Sequence, residues 1–173
     1  MKRFIIAIFI LAVGFLQSLS AQTPLPSTVS FDIGFSPGGT ALTVVEKAIS
    51  AAKSEILMAC YEFTSRDIAA ALEAAAHHGV KVRIVADWKA SHDKYSQVGI
   101  LKSAGIPIRL NGRYAIHHHK FMVIDGTNLE TGSFNYTTAA VKHNAENALV
   151  LWNVPQVAQA YAKEWERLWE ESQ

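Results

Sequence analysis

The sequence predicts an α/β fold: a mixed β-sheet flanked by helices on both faces. Three observations point to it. Strand-like apolar runs alternate with amphipathic helical repeats through the first half, the pattern of βαβ units and a parallel sheet. Strand-like runs cluster in the second half, which makes the sheet mixed rather than purely parallel. The chain has 173 residues, half of them hydrophobic, enough for one compact domain with a sizeable core and too few for two.

The first residues stand apart. Lys2 and Arg3 precede "FIIAIFILAVGFL", which ends in the small-residue stretch "QSLSAQ". This is the layout of a secretory signal peptide, residues 1–21, with cleavage near Ser20 or Ala21. The apolar run is short for a membrane span, so no stable membrane insertion is expected once it is removed. Retention as an N-terminal anchor is the alternative. The expected localisation is secreted or periplasmic, with residues 22–173 forming the domain.

After a Pro-, Ser- and Thr-rich start, "VSFDIGF" reads as a strand and "SPGGT" as the turn behind it. From Ala41, the positions Leu42, Val45, Ile49 and Ala52 repeat at helical spacing. "EILMACY" is a second strand. Ser65 can cap the next helix, with Asp67 in its first turn and Ile68, Ala71, Leu72 and Ala75 on its buried side. That helix ends at His77 and His78 before Gly79. In "VKVRIVAD", Val80, Val82 and Ile84 share one side. A helix to Ala104 and Gly105 leads into "IPIRL". "KFMVID", "LETGSF" and "NALVLW" are strand-like, and Pro155 opens a last helix striped by Val157, Tyr161, Trp165 and Leu168.

Charge narrows the function classes only by its distribution. Without Lys2 and Arg3 the chain carries 14 basic and 15 acidic residues, yet Lys81 to Lys120 holds eight basic residues and two acids, Asp87 and Asp93. Such asymmetry suits a face that attracts a polyanion. Cys60, the single cysteine, sits in an apolar run. It cannot form an internal disulfide and reads as a buried, inert thiol.

The chemistry concentrates in "IHHHKFMVID", residues 116–125. Alternate side chains of a strand share a side. A strand reaching residue 118 therefore sets His118 beside Lys120, and His117 beside His119. An ammonium next to the imidazole repels a metal and welcomes a phosphate. A metal held by His117 and His119 needs further ligands, and none follows at metallo-hydrolase spacing. The expectation is no metal and no cofactor.

From His118 the chain reads H-x-K-x4-D through Lys120 and Asp125, then Gly132-Ser133 and Asn135: "HHKFMVIDGTNLETGSFN". This resembles the signature of the phospholipase D superfamily, in the G-S-x-N form of its small single-motif endonuclease branch. The continuation "NYTTAAVKHNAENALVLWN" is similar too, and Glu146 matches the branch's downstream acid. The resemblance implies a phospholipase D-like fold and a phosphodiesterase using His118 as nucleophile through a phosphohistidine. It implies that Lys120, Ser133 and Asn135 bind the substrate phosphate and that Glu146 orients a histidine ring. Asp125 belongs to the catalytic motif, but its strand parity is opposite to that of His118, which assigns it to structural support. His119 occupies the variable position between motif histidine and lysine, where relatives can carry an acid.

A neutral imidazole attacks while a second, protonated one donates to the leaving group, and one motif supplies only one of them. The expected solution is a homodimer with His118 of each subunit meeting at a twofold axis. The expected substrate is nucleic acid, DNA or also RNA, cut without sequence preference. The alternatives are a phospholipase D or cardiolipin hydrolase acting on lipid, a non-catalytic nucleic-acid-binding module, and a metal-binding exported protein. Trp88, amid basic residues, is the candidate substrate-facing aromatic. Trp165 and Trp169 read as core.

Overall fold

The structure, a computed structural model, describes residues 27–173. The expected signal peptide lies outside them. The elements run β1 (Ser30–Ser36), α1 (Thr40–Ala51), β2 (Glu55–Cys60), α2 (Arg66–His77) and β3 (Lys81–Asp87), then a 3-10 turn (Ala90–His92) and α3 (Val98–Ser103). There follow β4 (Ile108–Asn111), β5 (Lys120–Ile124), β6 (Asn128–Gly132), α4 (Thr138–Lys142), β7 (Glu146–Trp152) and α5 (Pro155–Glu170).

Among the described residues, seven strands form one sheet in the order β1-β7-β6-β5-β2-β3-β4. β2, β3 and β4 are parallel, joined by helical crossovers as the first-half alternation requires. β2 pairs antiparallel with β5, and the rest of that side of the sheet is antiparallel as well. The mixed sheet is as expected.

Each face carries its own core. On one, α1, α2 and α3 press Val45, Ile49, Ile68, Leu72 and Leu101 against Met58, Ile84, Met122 and Ile124. On the other, α5 packs Trp165 and Leu168 against Leu57, Phe121, Val123 and Leu129. β5 is buried on both sides, so its sequence is an unbroken apolar run after Lys120 rather than an alternation. Ser65 caps α2 as expected, its Oγ accepting from Ile68 N at 3.4 Å. The buried face of α1 is rotated from the expected stripe: Ala41, Val44 and Ala48 join Val45 and Ile49, while Leu42 is only partly buried. Small residues there let the helix lie close on the sheet. Trp165 and Trp169 stack with ring centroids 5.0 Å apart, and Trp165 Nε1–H donates to Met58 O at 2.8 Å.

Candidate active site

The register brings the motif to one end of the sheet. Cys60 at the end of β2 is paired with Lys120 at the start of β5. Gly132 ends β6 opposite Ala148, and Ser36 ends β1 opposite Glu146. Asp87 ends β3 on the same edge, one residue beyond the Cys60–Ala86 pair. This is the carboxyl edge of the parallel strands, where open α/β sheets place their sites.

The ladder of β5 begins at Lys120, so the three histidines precede it rather than belong to it. Alternation persists nonetheless. His118 lies 4.9 Å from Tyr61 between ring centroids, and Lys120 Nζ sits 5.4 Å over the same ring. Lys120 Nζ also donates to His118 O at 2.8 Å. On the opposite side His117, His119 and Phe121 form an edge-to-face series with spacings of 5.4 and 5.5 Å. Asp87 stops the ladder short. Its Oδ2 accepts the His117 N–H at 2.8 Å while its Oδ1 accepts Ala90 N–H at 2.7 Å. One buried carboxylate thus fastens both the histidine segment and the 3-10 turn.

His118 is exposed, whereas His117 is only 2 % exposed with neither ring nitrogen hydrogen-bonded among the described residues. Burial, reinforced by neighbouring His119, pushes the His117 pKa down to about 4. Burial also lowers Lys120, against the opposing pull of Glu146 and Glu62. Glu146 is therefore near enough to help keep this ammonium charged.

Ser133 and Glu146 close the site from β6 and β7. Ser133 Oγ donates to Glu146 Oε2 at 2.6 Å and accepts from Asn147 N at 3.1 Å. Asn144 Nδ2 donates to Glu146 Oε1 at 3.0 Å. Both carboxylate oxygens of Glu146 thus have partners other than a histidine ring, and among the described residues the expected Glu146–histidine contact is not made. Gly132 is required by packing: a Cβ there would stand 2.2 Å from Asn147 O. Asn135 lies between buried Phe134 and Tyr136, and its Oδ1 is buried without a partner. Tyr136 OH donates to Glu130 Oε2 at 2.6 Å.

Asp125 is not brought to the site. It follows β5 at the opposite end, with φ 52°, in a turn with Gly126 at φ 64°. The Asp-Gly pair tolerates that backbone. Its carboxylate accepts the N–H groups of Lys53, Ser54 and Glu55 at 3.0, 2.8 and 3.0 Å and the Ser54 hydroxyl at 2.7 Å. It fastens the α1–β2 loop to the β5–β6 turn. Burial works against ionisation, but these donors hold its pKa below the usual carboxylate value.

Sequence reasoning does not single out Tyr61, Asp87, Asn144 or Asn147 as site residues. Asp87 carries a signal, an acid closing the third strand at a carboxyl edge. The others carry none. Trp88 is 52 % exposed and meets the His92 ring at a tilt, centroids 4.5 Å apart. The "SPGGT" turn begins at Ser36, the last residue of β1, at the same sheet end. Among the described residues, no three His, Cys, Asp or Glu side chains are grouped to hold a metal, and no helix is long and apolar enough to cross a membrane.

A family model described as cardiolipin synthase, PLD-like domain, matches residues 45–169. The chain belongs to the phospholipase D superfamily. Within this superfamily it is 34 % identical over 132 residues to the mitochondrial cardiolipin hydrolase of Mus musculus, covering 76 % of this chain and 59 % of that one. The chain spans little more than half the length of such relatives. Among solved structures it resembles Nuc of Salmonella typhimurium, a phospholipase D family member, at TM-score 0.82 and 39 % identity, covering 84 % of this chain and 97 % of Nuc. NucT from Helicobacter pylori matches at TM-score 0.75 and 26 % identity, covering 83 % of this chain and 98 % of NucT.

Proposed function

We propose that this chain is an exported, metal-independent phosphodiesterase that cleaves nucleic acid through a phosphohistidine. The observation that carries the reading is the joint placement of His118 and Lys120 against Tyr61 at the carboxyl edge, with Ser133, Asn135 and Glu146 on adjoining elements. An exposed imidazole nitrogen attacks phosphorus and a P–N bond forms. The P–O bond to the departing alkoxide breaks, and an imidazolium supplies that alkoxide's proton. Lys120, Ser133 and Asn135 donate to the equatorial oxygens where charge develops. Water then cleaves the P–N bond and restores the imidazole. Export rests on the signal-like residues 1–21.

The second imidazole comes from a second copy of the chain. A surface of β1 supports this: Phe31, Ile33 and Phe35 are 65, 50 and 57 % exposed among the described residues. Asp32, which alternates with them, turns toward α1, where Lys47 Nζ bonds it at 2.7 Å. The three apolar side chains therefore lie on the α5 face of the sheet, next to partly buried Leu149 and Leu151. Such a patch at a sheet edge is an interface in waiting, and β1 runs directly to Ser36 beside Glu146. Ile33→Glu is expected to convert a dimer to a monomer in sedimentation and to abolish cleavage.

A second reading, a lipid phosphodiesterase, draws on the names of the cardiolipin hydrolase relatives. Parallel assays in EDTA on a labelled oligonucleotide and on cardiolipin vesicles separate the two. Cleavage of the oligonucleotide supports the nuclease reading. Turnover of lipid alone replaces it with the second.

A further inference from the structure

A furrow leads away from the site along the same edge, traced by cavities with shared walls. The first, of about 570 Å³, begins at Tyr61 beside His118 and is walled by Lys89, His92, Thr64 and Ala139. The second shares Thr64 and Ala139 and adds Arg66, Lys94 and Tyr95. A third shares Arg66 and Thr138 and ends at Lys142. Lys89, Lys94, Arg66 and Lys142 line this furrow, and among the described residues none forms an ion pair. Arg83, Arg113 and Arg167, elsewhere on the surface, are each paired with a glutamate.

The furrow's acids differ in how they are held. Asp87 is buried with its oxygens on the N–H groups of Ala90 and His117, and Asp93 Oδ1 accepts Tyr95 N–H at 2.8 Å. Asp67 sits in the first turn of α2, facing the positive end of that helix. Glu62 is exposed and accepts no hydrogen bond among the described residues. The aromatic walls interleave with the cations. Tyr95 is 64 % exposed with Lys94 Nζ 4.7 Å over its ring, and His92 leans at a tilt against Trp88, bonded through Nδ1 to Trp88 O at 2.6 Å.

We propose that this furrow is a track for one unpaired polynucleotide strand, with successive phosphates on Lys89, Lys94, Arg66 and Lys142 and bases against His92 and Tyr95. The inference rests on the nuclease reading and narrows it. Cations in line with interspersed rings match the way a single strand is held, because only unpaired bases offer their faces for stacking. The fastening of the 3-10 turn and the histidine segment by one carboxylate keeps the track in register with His118.

The test is binding of a labelled single-stranded oligonucleotide to the full chain carrying His118→Asn, so that the strand survives, across a salt series. Each phosphate contact contributes ~0.7 to the slope of log K against log salt for single strands. Adding Lys89→Gln and Lys94→Gln is expected to flatten that slope by ~1.4. Glu62→Gln is expected to tighten binding. An unchanged slope in the double variant overturns the track, as does tighter binding of the matching duplex than of the single strand. The nuclease reading is checked separately on the wild type. Hydrolysis of bis(p-nitrophenyl) phosphate and cardiolipin vesicles, with the oligonucleotide left intact, removes that reading and the track together. Oligonucleotide cleavage with an unchanged slope in the double variant removes the track alone.

Discussion

His117 makes the fold acid-sensitive by an amount that follows from its surroundings. The ring is 2 % exposed, neither nitrogen has a partner, and its pKa is pushed down to about 4, chiefly by burial. Unfolded, the same imidazole titrates near 6.5. The folded state therefore binds fewer protons between these values. The contribution is fully present above pH 6.5 and is lost as pH falls toward 4. Its ceiling is about 3 kcal/mol, of which about 2 kcal/mol is lost between pH 7 and pH 4.5. Against a total of roughly 5–15 kcal/mol typical of such domains, a loss of about 2 kcal/mol is large. The perturbation is His117→Phe, which keeps an aromatic ring in the edge-to-face series and removes the titration. The assay is urea unfolding of both proteins at the two pH values. Other acid-sensitive groups that do not touch His117, the paired carboxylates among them, act on both proteins and cancel in the comparison. The variant is expected to lose about 2 kcal/mol less than the wild type on acidification. Equal losses in the two proteins would refute the reasoning.

Three further outcomes follow from the site and its supports. Glu130 is fully buried, with its pKa raised to about 8 by burial and one oxygen lacking a partner. Its folded pKa lies above the unfolded one, so its contribution is fully present below about pH 4.5 and declines as pH rises to 8. Glu130→Gln is expected to abolish that decline in thermal melts taken at pH 6 and pH 9, and an equally steep decline in the variant would contradict it. Asp125→Asn, which tolerates the positive φ but removes the charge, is expected to lower the urea-derived stability by about 2 kcal/mol through weakened bonds to the α1–β2 loop. An unchanged midpoint would show that the loop does not depend on it. Asp87→Asn keeps one acceptor and loses the charge-assisted hold on His117 N–H. It is expected to lower kcat for bis(p-nitrophenyl) phosphate about tenfold with KM little changed, because the segment carrying His118, the proposed nucleophile, is misplaced while substrate binding is left intact. A rise in KM alone would place Asp87 in binding instead.

Much of the fold is readable because periodicity reports burial. Val82 and Ile84 share one face of β3, and Ser65 caps α2. Local signals are weaker where tertiary partners decide. Parity extends the strand of the motif back to His118, but the His117 N–H is taken by Asp87, thirty residues earlier in the chain, so the ladder starts at Lys120. The rotation of α1 likewise reflects close packing on the sheet, which favours alanines over the larger Leu42. At the site, the shared side of His118 and Lys120 follows from strand geometry alone and persists outside the strand. The opposite side, and distance, separate Asp125 from them. The Ser133–Glu146 bond joins residues that only the β6–β7 pairing brings together. Tyr61 follows an apolar strand with nothing in its own sequence context to distinguish it.

The most direct test of the central claim is nicking of supercoiled plasmid by the purified protein in excess EDTA, with His118→Asn alongside. Histidine chemistry at this site predicts cleavage by the wild type and none by the variant. Cleavage that fails in EDTA and returns with zinc or manganese would contradict it.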